Sequence, residues 1–235
     1  MKTFIIGDIH GCSREFSELL EYLNPDPKTD RLILLGDLFD RGPDSWGVLQ
    51  KVQTLPLAFG NRFTLLKGNH EDFLLSEKLT FFQKRIWDRV GRPATVRSFR
   101  EHNERMEDAA PWLQENCRTY YRDENIQCVH AGLRVAPIEL NDDQTLIHDH
   151  HVVMENSYAG PLTITGHIGL DWPIWFAGDG ETTEMLPYGE ERPLPDHGII
   201  CIDTGCGKGG PLTAMILEGK TYRLERTGVP GMNDG

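Results

Sequence analysis

Short apolar runs alternate with amphipathic stretches along the N-terminal part of the chain. Residues 3–7, 32–35 and 63–67 are apolar runs of strand length, bounded by glycine, proline or polar residues. Residues 14–23 and 46–52 place large apolar side chains at the spacing of a helix that buries one face. The alternation predicts a βαβαβ unit, whose strands form a largely parallel sheet covered by helices.

The rest of the chain divides into a helical segment and a second group of strands. Residues 71–116 follow a helical pattern, and within them residues 84–105 carry more basic than acidic side chains. Further strands, partly antiparallel and packed on the first sheet, are predicted at residues 118–121, 126–129, 162–165, 198–202, 213–217 and 221–224. Residues 168–197 are predicted to form a long loop. These elements fit a single domain over residues 1–226, with the helical segment as an insertion and a C-terminal tail at 227–235.

Composition limits the class of protein. The chain has 235 residues, 39% of them hydrophobic and 26% charged, which is ordinary for a globular protein in water. Its apolar runs are all shorter than the roughly 18 residues of a membrane span, and the N-terminus lacks the apolar stretch of a signal peptide. We therefore expect a cytoplasmic protein without a membrane partner. The net charge of −12 disfavours a nucleic-acid partner, because nonspecific binding to nucleic acid needs a basic surface.

The five cysteines are scattered, odd in number and without CxxC spacing. This pattern argues against a disulfide framework and against a thiolate zinc site. We expect reduced thiols in or near the core, with Cys206, which stands between two glycines, as the most solvent-accessible of them.

Five segments share one feature: each ends an apolar strand and directly presents side chains that can bind a metal ion. They are Gly7-Asp8-Ile9-His10-Gly11, Gly36-Asp37-Leu38-Phe39-Asp40-Arg41-Gly42, Gly68-Asn69-His70-Glu71, Val129-His130-Ala131-Gly132 and Thr165-Gly166-His167. The carboxyl ends of the strands form the ligand-binding edge of an open α/β sheet, so these side chains are expected to converge. Oxygen donors mixed with imidazoles suit Mn²⁺, Fe or Zn²⁺. A single Asp or His could cap a helix or lie on the surface, but five such segments together predict a metal site.

The motifs GDIHG, GDLFDRGPDS, GNHE, HAG and GH, in this order, resemble the calcineurin-like metallophosphoesterases. Within that family they are most similar to the branch that holds bacterial serine/threonine protein phosphatases and symmetrical diadenosine tetraphosphatases. Residues 87–99 and 203–214 also resemble that branch, so the match extends over nearly the whole chain. The resemblance implies an α/β fold of the metallophosphoesterase type. This is a β-sandwich of two mixed sheets, flanked by helices, with the active site at the carboxyl ends of the strands.

The resemblance also implies a centre of two divalent ions, with Mn²⁺ expected and Fe or Zn²⁺ as alternatives. The ligands would be Asp8, His10 and Asp37 for the first ion, and Asp37, Asn69, His130 and His167 for the second. A hydroxide shared by the two ions would be the nucleophile. Only the two aspartates among these ligands are anionic, so the centre would remain positive and attract a phosphate despite the acidic chain around it.

Three further side chains are candidates for the remaining catalytic roles. His70 could protonate the leaving oxygen, and Asp40 could orient His70. Arg41 could hold the phosphate through two charge-assisted hydrogen bonds, with Asn69 as a further substrate contact.

The chain departs from the family pattern where a second phosphate-binding arginine is expected. Residues 145–151 read TLIHDHH and contain no arginine. Arg134 or an arginine of the helical insertion could take that role. His148, His150 and His151 could contact an anion or bind a third metal ion, although such a cluster is more often a solvated turn.

Two other features leave alternatives open. Trp172, Trp175 and Phe176, in the predicted loop, could stack on a base or could cover an edge of the core. The basic side chains of residues 84–105 could steer a polyanionic substrate or could form a solvated helix face.

The expected activity is the metal-dependent hydrolysis of a phosphoester. A protein phosphorylated on serine or threonine is the first choice of substrate, and a dinucleoside polyphosphate such as Ap4A, or another small nucleotide, is the alternative. A third hypothesis is that the protein is a binding module without catalytic activity. It is disfavoured because every metal ligand and both proton-handling residues are present.

Overall fold

The N-terminal part of the chain forms the predicted βαβαβ unit. The structure, a computed structural model, describes residues 1–228. The unit consists of β1 (Thr3–Ile6), α1 (Ser13–Leu23), β2 (Arg31–Leu34), α2 (Ser45–Phe59) and β3 (Phe63–Leu66). The three strands are parallel neighbours. Helix α2 continues past its predicted end at residue 52, because Leu55 and Phe59 remain buried in the core along the same helix face.

The helical segment contains α3 (Asn69–Leu75), α4 (Phe81–Val90), α5 (Arg92–Glu101) and α6 (Ala110–Asn116). Local sequence sets the start of α4, because Thr80 Oγ1 accepts a hydrogen bond from Gln83 N and Gln83 Oε1 accepts one from Thr80 N. Gly91 ends α4 with a positive φ of 127° and stands directly before α5, so these two helices meet at a sharp corner.

The C-terminal half supplies the remaining strands and two short helices. They are β4 (Cys117–Arg118), β5 (Tyr120–Arg122), β6 (Gln127–Val129), α7 (Asp143–His148), α8 (His151–Met154), β7 (Thr163–Thr165), β8 (Ile174–Phe176), β9 (Thr183–Met185), β10 (Arg192–Pro193), β11 (Ile199–Cys201), β12 (Thr213–Glu218) and β13 (Thr221–Arg226). Two predictions for this region were wrong. The strand predicted at 118–121 is two strands in different sheets, and the chain passes between the sheets at Thr119. The loop predicted at 168–197 contains β8, β9 and β10.

The strands form two mixed sheets, as expected. The order is β10-β13-β12-β1-β2-β3-β4 in the seven-stranded sheet and β5-β6-β7-β11-β8-β9 in the six-stranded sheet. Successive side chains of a strand point to opposite faces of the sheet, so alternate residues pack into two different hydrophobic cores. In β1, Ile5 faces a core that it shares with Ile164 and Ile200 of the other sheet, whereas Phe4 and Ile6 face the core beneath α1 and α2. The two sheets therefore pack face to face, with helices on their outer faces.

One smaller prediction, the accessibility of Cys206, also fails. Cys206 is 5% exposed, because the turn that contains it packs against the strand-end loops: a Cβ atom at the next residue, Gly207, would collide with His10 Cβ. The start of the predicted tail is ordered: Thr227 N donates to Leu212 O, and Leu212 N donates to Thr227 Oγ1. Residues 229–235 of that tail lie outside the described residues. Within residues 1–228, no helix is both long and apolar enough to cross a membrane.

Candidate metal centre

The metal-binding side chains predicted from the sequence converge at one edge of the sandwich. β1, β2 and β3 run parallel in one sheet, and β6, β7 and β11 run parallel in the other. The residues that follow β1, β2, β3, β6 and β7 are the five predicted segments. Positive φ angles mark the turns that aim these side chains inward, at His10 (47°), Asp37 (49°), Asp40 (71°), Arg41 (68°) and His167 (66°). Non-glycine residues adopt this conformation uncommonly, and such residues cluster at active sites and ligand-binding sites.

The first group of potential ligands surrounds one oxygen of Asp37. His10 Nε2 lies 3.4 Å and His70 Nε2 3.8 Å from Asp37 Oδ2, and these three residues form a cluster that could hold a metal ion. Asp8 Oδ2 lies 4.0 Å from His10 Nε2, at the same side of the cluster. The cluster thus includes the predicted proton donor His70 beside the predicted ligands.

The second group surrounds the other oxygen of Asp37. His130 Nε2 lies 3.4 Å from Asp37 Oδ1, and Asp37, His130 and His167 form a second cluster that could hold a metal ion. Asn69 Oδ1 lies 3.1 Å from His130 Nε2 and 2.9 Å from His167 Nδ1. Asp37 is therefore shared by the two groups, which is the arrangement expected for a carboxylate that bridges two ions.

Hydrogen bonds to the backbone orient the buried imidazoles. His10 Nδ1 donates to Phe39 O and His130 Nδ1 donates to Leu35 O, both at 2.8 Å. A ring nitrogen that donates to a carbonyl carries the proton, so Nε2 of each ring presents a lone pair to the cluster. Glycines leave room for this packing: a Cβ atom at Gly68 would collide with Asp37 Oδ1, and one at Gly166 would collide with Asp8 Oδ1.

Burial makes these imidazoles neutral. It lowers the pKa of His10 well below the ordinary value, lowers the pKa of His130, and together with the neighbouring His130 lowers the pKa of His167 to about 3. Neutral imidazole is the form that binds metal ions. The same burial, reinforced by Asp203 and Asp37, raises the pKa of Asp8 well above its ordinary value. A cation in the cluster would offset the free-energy cost of burying the charged carboxylate.

Unpaired atoms test whether a divalent metal centre fits these residues. Within residues 1–228, the buried side-chain atoms without a hydrogen-bond partner are Asp8 Oδ1, His10 Nε2, Thr165 Oγ1 and Asp203 Oδ2. Leaving a buried polar atom unpaired is costly, and such atoms are rare in folded proteins. Asp8 and His10 are predicted metal ligands, and the negative charge of Asp203 raises the pKa of Asp8. Oxygen and imidazole donors of this kind match a divalent metal centre.

The predicted proton-handling residues adjoin the cluster. His70 Nδ1 lies 2.6 Å from Asp40 Oδ2, and both residues are buried. Burial lowers the pKa of His70, but the carboxylates of Asp37 and Asp40 outweigh it, so the net pKa lies above the ordinary value. Arg41 Nη2 lies 3.5 Å from His70 Nε2, on the side of the ring away from Asp40. The Nε2 atom of His70 and the guanidinium of Arg41 thus face the same space.

Two site residues were not assigned a role from the sequence. Glu71, fully buried, accepts hydrogen bonds from the backbone N–H groups of Asp37, Leu38 and Gly68, and so holds the loop that carries Asp37. Asp203 follows β11 as the predicted metal ligands follow their strands, and it is 1% exposed. Its position after an apolar strand is the same signal that identified the other five segments.

Arg134 and His148, which the sequence suggested as further contacts for substrate or an anion, are paired with other protein groups. We call these two residues and their partners, Asp149 and Asp72, the rim. Arg134 Nε donates to Asp149 Oδ2 at 2.8 Å, which does not support its suggested contact with substrate. His148 ends α7, and its Nε2 lies 3.0 Å from Asp72 Oδ2. Among the described residues, the clusters that could hold a metal ion do not include the histidines of residues 148–151.

The aromatic residues of the 168–197 segment belong to the edge of the second sheet. Trp172 Nε1 donates to Leu186 O and Trp175 Nε1 donates to His197 O, while Phe176 is 8% exposed. These contacts favour the interpretation that they cover the core edge over the interpretation that they stack on a base.

Comparison with known proteins identifies the same family as the sequence motifs do. The profile described as calcineurin-like phosphoesterase matches residues 1–201. A relative from Proteus mirabilis, named symmetrical bis(5'-nucleosyl)-tetraphosphatase, is 48% identical, with 96% of this chain and 97% of the relative covered. An Oceanobacillus iheyensis relative, named asymmetrical bis(5'-nucleosyl)-tetraphosphatase PrpE, is 30% identical over 94% of this chain and 91% of its own length. The crystal structure of a metallophosphoesterase from Sphaerobacter thermophilus has the same fold, with a TM-score of 0.64 at 16% identity, covering 96% of this chain and 88% of that one.

Proposed function

The chain belongs to the calcineurin-like phosphoesterases, and on that premise we propose that it hydrolyses dinucleoside polyphosphates of the diadenosine tetraphosphate type. The observation that carries the proposal is the 48% identity, over 96% of this chain, to a relative named for that reaction. This reverses the order of substrates expected from the sequence, where a serine/threonine phosphoprotein came first. The phosphoprotein becomes the second candidate, supported only by the motif resemblance.

Asp8, His10, Asp37, Asn69, His130 and His167 are proposed to hold two divalent ions, for which Mn²⁺ is our choice. Such ions would activate a water molecule for attack on phosphorus and offset the charge of the phosphate. The protein supports this chemistry by keeping three imidazoles neutral and by placing the Asp37 carboxylate between the two groups of ligands.

Arg41 and His70 are proposed to act on the substrate directly. The planar guanidinium of Arg41 can bind two phosphate oxygens at once. His70 Nε2, 3.5 Å from Arg41 Nη2, is placed to donate a proton to the oxygen that leaves phosphorus. Asp40 accepts the hydrogen bond from His70 Nδ1 and stabilises the charged imidazole. Asn69 and Arg134 were also expected to contact substrate, and of these only Asn69 lies in the cluster.

The proposal is tested by comparing kcat/KM for diadenosine tetraphosphate, phosphoserine and phosphothreonine peptides, and 4-nitrophenyl phosphate, each with added Mn²⁺. We expect the dinucleotide to give the highest value. Chromatography of the products would distinguish two ADP molecules from ATP plus AMP. A higher kcat/KM for the phosphopeptides would overturn the proposed substrate, and an enzyme inactive on every substrate would support a silent binding module.

A further inference from the structure

The carboxylate of Asp40 is held by two side chains of the helical segment, which are far from it in sequence. Trp87 Nε1, on α4, donates to Asp40 Oδ2 at 2.6 Å. Thr95 Oγ1, on α5, donates to Asp40 Oδ1 at 2.6 Å. All three side chains are buried. Each carboxylate oxygen therefore has a donor from a different helix.

The backbone of the same turn is held by the same helices. Asp40 N donates to Thr95 Oγ1 at 2.8 Å, so one hydroxyl contacts both the backbone and the side chain of Asp40. Gly91, at the corner between α4 and α5, packs so closely on Arg41 that a Cβ atom there would collide with Arg41 N. Both Asp40 and Arg41 have positive φ angles, a conformation that surrounding contacts must enforce.

These contacts determine where Asp40 can direct its hydrogen bond to His70. The oxygen that accepts from Trp87 Nε1 is the same Oδ2 that lies 2.6 Å from His70 Nδ1. Because Thr95 holds Oδ1 and Trp87 holds one side of Oδ2, the carboxylate plane cannot rotate, and its remaining lone pair faces the imidazole. The ring of His70 is then fixed with Nε2 toward Arg41.

We propose that Trp87 and Thr95 are positioning residues for proton transfer to the leaving group, acting through Asp40 on His70. This rests on the proposed function, in which His70 is the general acid. The role requires the indole N–H and the threonine hydroxyl, not only the volume of these side chains. It assigns the helical segment a part in catalysis that its position in the sequence does not indicate.

The test uses substitutions that remove the donors and keep most of the volume. Trp87→Phe and Thr95→Val are compared with wild type on aryl phosphates whose leaving groups range from 4-nitrophenol to phenol, with added Mn²⁺. We expect kcat on phenyl phosphate to fall about 10- to 100-fold and kcat on 4-nitrophenyl phosphate to change less than about threefold, since a good leaving group needs little protonation. KM should stay within about twofold on both.

Two matched controls separate positioning from structure. Thr95→Ser keeps the hydroxyl and should retain the wild-type ratio of the two kcat values. Trp112→Phe makes the same aromatic change on α6, where the ring packs against the core and not against Asp40, and should leave that ratio unchanged. Thermal unfolding of each variant reports any loss of fold.

The proposal is overturned if the donor-removing variants lose activity equally on both leaving groups, or if Thr95→Ser behaves like Thr95→Val. Wild-type ratios in Trp87→Phe and Thr95→Val would overturn it as well. Failure of the proposed function gives a different result: wild type would then favour the phosphopeptides over diadenosine tetraphosphate, or would be inactive on every phosphoester, and neither result depends on Trp87 or Thr95. If Trp87→Phe does not fold, the comparison of Thr95→Val with Thr95→Ser decides the outcome alone.

Discussion

The histidines of the metal centre and the histidines of the rim differ in what surrounds them. His10 and His130 are fully buried, and each donates Nδ1–H to a backbone carbonyl while Nε2 faces Asp37. His148 is 24% exposed, and its Nε2 is already paired with Asp72. Arg134, on the same rim, is paired with Asp149.

This difference separates groups that require a ligand from groups that do not. Asp8 Oδ1 and His10 Nε2 are buried without a protein partner within residues 1–228, and a bound ion or an ordered water molecule would compensate their burial. The charges of the rim are satisfied by one another and remain in contact with water, where an ion pair contributes little. The side chains that call for a ligand therefore lie in the centre, whereas Arg134 and His148 at the rim already have protein partners.

The largest effect is expected from the carboxylate that both groups share. Asp37→Asn removes the bridging charge, and kcat on 4-nitrophenyl phosphate should fall by about 10³-fold or more, since metal-assisted activation contributes several kcal/mol. Mn²⁺ should raise the Tm of wild type, because it binds only the folded state, and should raise that of the variant far less. Equal responses of the two proteins to Mn²⁺ or to a chelator would contradict the assignment of Asp37.

The next effect concerns the proton donor. His70→Asn should lower kcat by about 10²- to 10⁴-fold on phenyl phosphate and by much less on 4-nitrophenyl phosphate. The measurement is steady-state kinetics on both substrates, with metal content determined in parallel. Because His70 also lies within the first cluster of potential ligands, a variant that loses metal would identify it as a ligand instead of a general acid.

A smaller effect is expected at the phosphate-binding arginine. Arg41→Lys keeps the charge but loses the planar fork, so KM should rise about tenfold while metal binding is retained. Arg134→Lys, on the exposed rim, serves as the matched control and should leave KM unchanged. An equal rise in KM for both variants would remove the distinction between centre and rim.

The smallest effect is expected for an ion pair of the rim itself. His148 and Lys67 lower the pKa of Asp72, so its contribution to stability is present above the unfolded-state pKa and is lost as pH falls through the lower folded-state value. Asp72→Asn should therefore cost about 0.5 kcal/mol or less at pH 7, because the pair is partly exposed. In urea unfolding, the cost should shrink as the pH is lowered below the unfolded-state pKa of Asp72 and through its lower folded-state value. A loss of activity comparable to that of Arg41→Lys would mean that the rim takes part in catalysis.

The convergence of the predicted metal ligands could be foreseen from the sequence, because each of them follows a strand that is recognisable from the local pattern. A short apolar strand, a glycine and a polar donor recur at Asp8, Asp37, Asn69, His130 and His167, and parallel strands bring their carboxyl ends to one edge. The βαβαβ unit was predictable for the same reason, since hydrophobic periodicity is a local signal. Asp203 follows the same rule and could have been found with it.

Other features depended on contacts between distant residues. The hydrogen bonds of Trp87 and Thr95 to Asp40 span 47 and 55 residues, and nothing in the local pattern around them indicates such a partner. The division of residues 117–122 between two sheets, and the strands β8 to β10 within an apparent loop, arise because backbone groups there pair with strands that are remote in sequence. The sequence by itself determined the βαβαβ unit and the class of chemistry, and it predicted the metal ligands, since these follow from hydrophobic periodicity and from residue type at strand ends. Only the tertiary structure decided which side chains hold the proton donor in place and which rim charges neutralise one another, because both depend on packing between separate elements.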